Sequence, residues 1–242
     1  MTARGTGRRR STPVLGKIVF PAAVILALFC LGPDNRSHAD QPLTQILDGI
    51  LGRYGAMPGL MVDYEREIVT KSMALLGDSV RKDTAKGRIY FKPPHHLRVE
   101  QETPSTELVV TDGRTLWWYI PDKNRAYKYP ARRLGEEMGL LSSIFRGLKD
   151  VRESFQVSVH LGTGEGFYRL KLIPRPPWPQ VEHIELTVAG DEYLIRTIEI
   201  HNYMGGITRF ILDRPASRET FEKGFFQFDA PPGIRVVEEG DQ

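Results

Sequence analysis

The sequence predicts a mainly β protein in which one antiparallel sheet curves into an open, unclosed barrel and carries a helical lid or plug. Three observations support this prediction. Over most of the chain, segments of four to eight residues alternate apolar and polar side chains, which is the period of a half-buried strand. Turn residues separate these segments. Two stretches, 41–56 and 132–148, instead repeat apolar residues at helical spacing, so helices accompany the sheet.

Residues 1–39 have the features of a cleaved secretory signal peptide. Basic residues from Arg4 to Lys17 precede an apolar stretch at 18–32, and Ser37-His38-Ala39 has small residues at both outer positions, as a signal peptidase requires. We expect cleavage after Ala39 and one domain over 40–242, with an uncleaved anchor as the alternative. The only cysteine, Cys30, lies in this segment, so disulfide and thiolate chemistry is not expected after cleavage.

The basic character of the chain comes from the same segment. The sequence has 33 Lys and Arg against 30 Asp and Glu, and six of these basic residues and one acidic residue lie in 1–39. The remainder therefore has a formal net charge of −2. Nucleic acid is not expected as a partner of such a chain.

The first half of the chain reads as a helix followed by strands. Helix 41–56 has an apolar face and ends at Gly55 and Pro58. Asp112-Gly113 separates two strands and predicts a tight hairpin, because these residues tolerate positive φ. The helix face consists of Leu43, Ile46, Leu47, Ile50 and Leu51, and the predicted strands are 60–67, 87–92, 97–100, 107–111, 115–120 and 126–129.

The second half begins with one or two helices and returns to strands. In 132–148 the apolar residues Leu134, Met138, Leu141, Ile144, Phe145 and Leu148 recur at helical spacing. Further strands are predicted at 155–160, 166–173, 181–188, 193–201 and 207–213, followed by a short helical turn at 218–223. The total is about ten or eleven strands. A β-sandwich is the competing architecture.

Many strands carry apolar side chains on one face. A strongly curved sheet of ten or more strands encloses more space than its own side chains fill. The interior must therefore hold helices, a ligand, or both. The face consists of Ile89, Phe91, Leu97, Val99, Val109, Leu116, Trp118, Ile120, Leu170, Leu172, Ile184, Leu186, Ile198, Ile200, Phe210 and Leu212.

The motifs of common catalytic and cofactor sites do not occur in the sequence, and we expect neither an enzyme nor a cofactor. A metal site is not expected either. His95 and His96 are neighbours, and adjacent side chains on a strand point to opposite faces. His160, His183 and His201 lie far apart on predicted strands, so each is interpreted as a surface or pocket residue.

Three sequence blocks resemble those of the periplasmic outer-membrane lipoprotein carriers, the LolA-like family. GRIYFKPPHHLRV at 87–99 is similar to the family's G-x-I-x-F-K-R-P-x-x-F-R-W. VVTDGRTLWWY at 109–119 is similar to I-V-S-D-G-K-T-L-W-x-Y, and FQFDAPPGIRV at 226–236 to F-x-F-x-P-P-G-V-x-V. Their order and spacing agree over roughly 43–238, and the middle block is the most specific.

The resemblance implies a periplasmic carrier that binds the acyl chains of lipoproteins in an apolar cavity. It implies an inner-membrane ABC-type release complex as donor and an outer-membrane receptor or the membrane as acceptor, with the carrier expected as a monomer. The expected cavity residues are Ile89, Phe91, Leu97, Val99, Val109, Leu116, Trp118, Leu170, Leu172, Ile198, Ile200 and Phe210. The expected lid residues, which should fill the empty cavity, are Leu47, Ile50, Leu51, Leu141, Ile144 and Phe145.

The sequence departs from the family at one important position. Carriers of this type often have an Arg before the proline of the first block, and that Arg is thought to tie the lid to the barrel. Here the position is Pro93, and Lys92 would point to the other face of its strand. The alternatives are therefore a binding or sensing protein of this fold for another lipid and, more remotely, an exported enzyme.

Overall fold

The computed structural model describes residues 40–76, 83–130, 136–161 and 166–238, all within one compact unit, Arg36–Gln242. The described helices are α1 (Asp40–Tyr54), α2 (Lys71–Leu76), α3 (Glu136–Phe145) and α4 (Val151–Ser154). The described strands are β1 (Leu60–Val69), β2 (Asp83–Lys92), β3 (His96–Thr103), β4 (Glu107–Thr111), β5 (Thr115–Ile120), β6 (Arg125–Pro130), β7 (Phe155–Leu161), β8 (Phe167–Pro174), β9 (Val181–Ala189), β10 (Leu194–Asn202), β11 (Ile207–Ser217) and β12 (Arg235–Glu238).

All twelve of these strands belong to one sheet. Their order is β12-β6-β5-β4-β3-β2-β1-β11-β10-β9-β8-β7. Neighbours pair antiparallel except β12, which pairs parallel to β6. The sheet edges β12 and β7 are not paired with each other, so the sheet is open. The predicted open barrel with helices is confirmed, and the competing β-sandwich is wrong.

The predicted and observed elements differ at the last strand and at the short helices. β12 brings the described strands to twelve, above the expected ten or eleven. It is short and lacks the alternation of a half-buried strand, because all its residues except Val237 are exposed. The short helices α2 and α4 were not predicted, and the predicted helical turn at 218–223 is wrong, since these residues form no helix. The expected signal peptide at 1–39 and the helix start around Leu134 lie outside the described residues.

Helices α1 and α3 cover one face of the sheet, which we call the inner face. Apolar residues of α1 and α3 share a single buried cluster with alternate residues of β1–β3 and β7–β11. The opposite, outer face carries a smaller aromatic cluster. There the segment after β11 packs Phe226 against Tyr90 and Val110.

Two contacts join the helices to each other and to the sheet. The Ile195 N–H on β10 donates a hydrogen bond of 3.0 Å to Oη of Tyr54, the last residue of α1. Gly147, just after α3, lies so close to α1 that a Cβ there would be 2.8 Å from Cα of Leu51. Its φ of +79° also favours glycine. Backbone approach of this kind fixes the end of α3 beside α1.

The predicted hairpin between β4 and β5 is present. Asp112 Oδ1 accepts hydrogen bonds from the N–H groups of Arg114 and Thr115, at 2.8 and 2.9 Å, and these bonds lower the pKa of Asp112 against the opposing effect of burial. Gly113 has a φ of +88°, which a residue with a side chain rarely adopts. The turn sets the register that places Trp118 opposite Val109 on the inner face.

Candidate functional site

Most of the predicted cavity residues lie in the packed core rather than beside open space. Eight of them, on β2, β3, β8, β10 and β11, are buried in the cluster that also contains α1 and α3. Val99 is half-buried and packs against that cluster, whereas Leu116 is buried outside it. The eight are Ile89, Phe91, Leu97, Leu170, Leu172, Ile198, Ile200 and Phe210.

The predicted lid residues occupy the interior that the resemblance assigns to acyl chains. Ile50, Leu141, Ile144 and Phe145 are each at most 2% exposed. The Phe145 ring lies 5.9 Å from that of Phe91 on β2. Leu47 is partly buried against the same cluster. Leu51 differs, because 38% of it is exposed and it lies at the α1–Gly147 contact.

An open space remains on the inner face next to Leu141. Its volume is about 130 Å³, below the roughly 300–1,000 Å³ of typical small-molecule sites. It is lined by Tyr64, Arg66, Val99, Gln101, Glu107, Val109, Trp118, Leu141 and Phe210. We call it the inner cavity. It brings together four predicted cavity residues and one predicted lid residue.

The inner cavity requires a curved sheet. Trp118 on β5 and Phe210 on β11 both line it, although five strand spacings separate β5 from β11 in the sheet order. On a flat sheet, five spacings amount to about 24 Å. A cavity of about 130 Å³ cannot bridge that distance. The two strands must therefore turn toward each other across the inner face.

The side of the cavity formed by β4 and β5 is aromatic and partly open to solvent. Trp118 is 36% exposed, and its Nε1 donates a hydrogen bond of 2.9 Å to Oε2 of Glu107. Its ring lies 5.4 Å from Tyr127, which in turn stacks on Tyr129 at 6.3 Å. These rings extend the apolar surface from the cavity toward β6.

The wall formed by β1 combines aromatic and charged groups. Tyr64 packs on Phe210 with ring centroids 6.0 Å apart. Burial raises the pKa of Tyr64 to about 12, although the neighbouring Arg66 opposes the rise. Nε of Arg66 is buried, and no described residue forms a hydrogen bond with it. The cavity is thus mainly apolar, with the cationic Arg66 on its β1 wall and the anionic Glu107 on its β4 wall.

The sequence analysis missed the polar members of this site: Tyr64, Arg66, Gln101 and Glu107. The signal was available for the first two, since alternation from the buried Leu60 and Val62 places Tyr64 and Arg66 on the same face of β1. Gln101 and Glu107 are paired across β3 and β4, and only the register of the sheet reveals that they share the cavity.

Two other predicted groups have clear positions. Lys92 lines a groove on the outer face beside Phe226, so it faces away from α1 and α3, as strand alternation predicts. The sequence analysis treated His183 and His201 as separate residues, but the structure stacks their rings with centroids 4.3 Å apart.

In the part of the chain that the structure describes, no helix is long and apolar enough to span a membrane.

Comparison with known proteins assigns the family. The family model described as outer membrane lipoprotein carrier protein LolA matches residues 74–229, more than half of the chain. The chain belongs to the LolA family. The matched range includes β2–β11, and therefore most of the inner cavity and the whole of α3.

Curated LolA-family relatives named outer-membrane lipoprotein carrier protein extend the similarity. The protein from Methylococcus capsulatus is 25% identical over 154 residues, covering 63% of this chain and 71% of its own length. The protein from Pseudomonas paraeruginosa is 21% identical over 217 residues, which cover 89% of this chain and 97% of the relative. The solved structure of an uncharacterized conserved protein from Thermus thermophilus shares the fold, with a TM-score of 0.52 and 12% sequence identity. The match covers 82% of this chain and 100% of that protein.

Proposed function

We propose that this LolA-family chain carries lipoproteins through the periplasm by sheltering their acyl chains on the inner face of the sheet. It takes them from an inner-membrane ABC-type release complex and delivers them to an outer-membrane receptor or to the membrane itself. The family and the names of the relatives support the carrier role. The observation that supports the mode of binding is the position of Leu141.

Leu141 connects the filled and the open parts of the interior. It is 2% exposed and belongs to the core cluster, yet it also lines the inner cavity. If α3 moves away from the sheet, the inner cavity becomes continuous with the space now held by Ile144 and Phe145. An acyl chain that enters beside Trp118 would then replace α3 against Phe91 and Phe210.

The energies of this exchange are balanced. Removing four buried side chains of α3 from the interior costs about 2 kcal/mol each, or about 8 kcal/mol together; they are Leu140, Leu141, Ile144 and Phe145. Burying about 15 methylenes of an acyl chain returns about 12 kcal/mol. A carrier must bind its lipoprotein and later release it, and a small net gain in binding free energy allows both. A permanently open cavity would bind much more tightly and release slowly.

The periplasmic location rests on the relatives and on residues 1–39. We propose that this segment directs export and is removed after Ala39. N-terminal sequencing of the protein isolated from its own cells tests the proposal, with Asp40 expected as the first residue. An intact segment found in a membrane fraction would support the anchor alternative instead.

Substitution on the two faces of the sheet tests the binding mode. We expect Val109→Asp, on the sheet wall of the inner cavity, to reduce the affinity for a fluorescent acyl probe at least about tenfold, because it places a charge where the acyl chain must lie. Leu141→Asp, on α3, should instead raise the affinity of the folded protein, because its charge destabilises the state in which α3 is buried. Ile211→Asp is the control, since Ile211 is 38% exposed on the outer face. Unchanged probe binding by folded Val109→Asp and Leu141→Asp proteins would contradict the assignment.

The cargo is tested by what the protein holds in the cell. Native mass spectrometry and lipid extraction of protein purified from the periplasm should identify bound lipoprotein with its acyl chains. Free phospholipid or another lipid alone would favour the alternative, a binding protein of this fold for a different lipid.

A further inference from the structure

The outer face of the sheet contains a pair of histidines from neighbouring strands. His183 on β9 is the direct partner of His201 on β10. Their rings are nearly parallel, with an interplanar angle of 11°. The adjacent residues Ile184 and Ile200 are buried on the inner face, so both imidazoles lie on the side away from α1 and α3.

Two glutamates form the next pair along the same face. Glu185 and Glu199 are partners in the same ladder. Oε1 of Glu185 lies 3.6 Å from Nε2 of His183, and Oε2 of Glu199 lies 3.4 Å from Nε2 of His201. Adjacent strands therefore present two imidazoles and two carboxylates as one block.

The two glutamates have different surroundings. Glu199 Oε1 accepts a hydrogen bond of 2.9 Å from Nε of Arg209, whose Nη1 also donates one of 3.0 Å to Glu67, so Glu199 is already held by a guanidinium. The ion pairs of Glu185 are longer, at 3.6 Å to His183 and 3.8 Å to Nε of Arg169. Glu185 is thus the carboxylate with the weaker existing contacts and the one available to a cation.

Two nitrogens of the histidine pair lack a hydrogen bond. Nδ1 of His183 and Nε2 of His201 are buried and have no hydrogen-bond partner among the residues described. Buried polar atoms without partners are uncommon and often indicate a bound ion or water. A cation at His201 Nε2 supplies the missing interaction on that ring.

We propose that His183, Glu185 and His201 bind one divalent transition-metal ion of the zinc type. Ligand atoms from the three residues lie within 4.8 Å of one another. Tetrahedral zinc, with bonds of about 2.0–2.2 Å, requires ligand atoms about 3.3–3.5 Å apart, so small side-chain rotations complete the site. Two imidazoles select zinc, copper or nickel over calcium and magnesium, which prefer oxygen ligands.

The metal ties β9 to β10 from the outer face. The inner faces of these strands carry Ile184, Leu186 and Ile198, which are completely buried in the core cluster beneath the helices. The ion therefore stabilises the rigid part of the sheet against which the helices pack. It lies on the opposite face from the inner cavity, so this inference is independent of how acyl chains bind.

Calorimetric titration of the chelator-treated protein with ZnCl₂ tests the site. We expect one ion per chain and a rise in melting temperature of roughly 5–10 °C when zinc is about 100 times its Kd. His183→Ala, His201→Ala and Glu185→Gln should each weaken binding at least about tenfold. His160→Ala is the control, since His160 is exposed on β7 and should leave binding unchanged.

A second measurement on the unaltered protein applies if the variants fold poorly. Zinc should shift or broaden the imidazole NMR signals of His183 and His201 while those of His160 stay in place. Zinc binding that survives the combined His183→Ala and His201→Ala substitution would overturn the proposal. So would saturation with zinc that leaves both imidazole signals unmoved, or equal affinity for calcium.

Discussion

Shortening Ile144 by one methyl group should make acyl chains bind more tightly. Ile144 on α3 is completely buried in the core cluster. The proposed exchange moves α3 out of the interior when an acyl chain enters. Ile144→Val therefore removes packing that only the ligand-free state has. A buried Ile→Val change costs about 0.5–1.5 kcal/mol, and the affinity should rise by roughly 2- to 12-fold.

The matched control makes the same change on the sheet. Ile184 on β9 is also completely buried in this cluster, but it remains in the interior whether α3 or a ligand covers it. Ile184→Val should lower thermal stability by a similar amount and leave the affinity nearly unchanged. Titration with a fluorescent acyl probe and thermal unfolding give both quantities. If the two variants bind the probe equally, α3 does not leave the interior on binding.

Three further predictions concern stability. Burial raises the pKa of Tyr64 to about 12. The buried neutral phenol therefore contributes fully to the free energy of unfolding below about pH 10, and this contribution disappears as the pH rises through 12. Tyr64→Phe should flatten the loss of stability that urea unfolding measures over that range. The pKa of Glu199 is lowered to about 2, chiefly by His201 and then by Arg209 against the effect of burial. The Glu199 carboxylate therefore contributes to the free energy of unfolding above about pH 4.5, and this contribution disappears as the pH falls toward 2. Glu199→Gln should reduce this acid sensitivity in metal-free buffer. Phe226→Ala removes a buried ring of the outer cluster and should lower the free energy of unfolding by about 3 kcal/mol without changing probe affinity in the folded protein; a changed affinity would link the two faces.

The strands were predictable because a half-buried strand has a local signature. Alternation along 107–120, with Asp112-Gly113 between, determines both strands and their turn. β12 has no such signature. Its stability comes from parallel pairing with β6, a contact over more than a hundred residues of chain that no local pattern encodes.

The site was predictable as a face but not as a cavity. Alternation correctly places Phe91 and Phe210 on the inner face; both belong to the packed core cluster, and Phe210 alone also lines the inner cavity. Whether an inward residue meets a helix or open space depends on the curvature of the sheet and the position of α3. The histidine pair was missed for a related reason, because only the register of β9 and β10 brings His183 opposite His201.

The neighbouring tryptophans of β5 allow the most direct test of the central claim. Trp118 lines the inner cavity, whereas Trp117 packs in the outer cluster. A lipopeptide with a photoreactive acyl chain, cross-linked to the protein and mapped by mass spectrometry, should label Trp118 and Phe210. Labelling of Trp117 and Ile211 instead, or of neither face, would contradict binding of acyl chains on the inner face of the sheet.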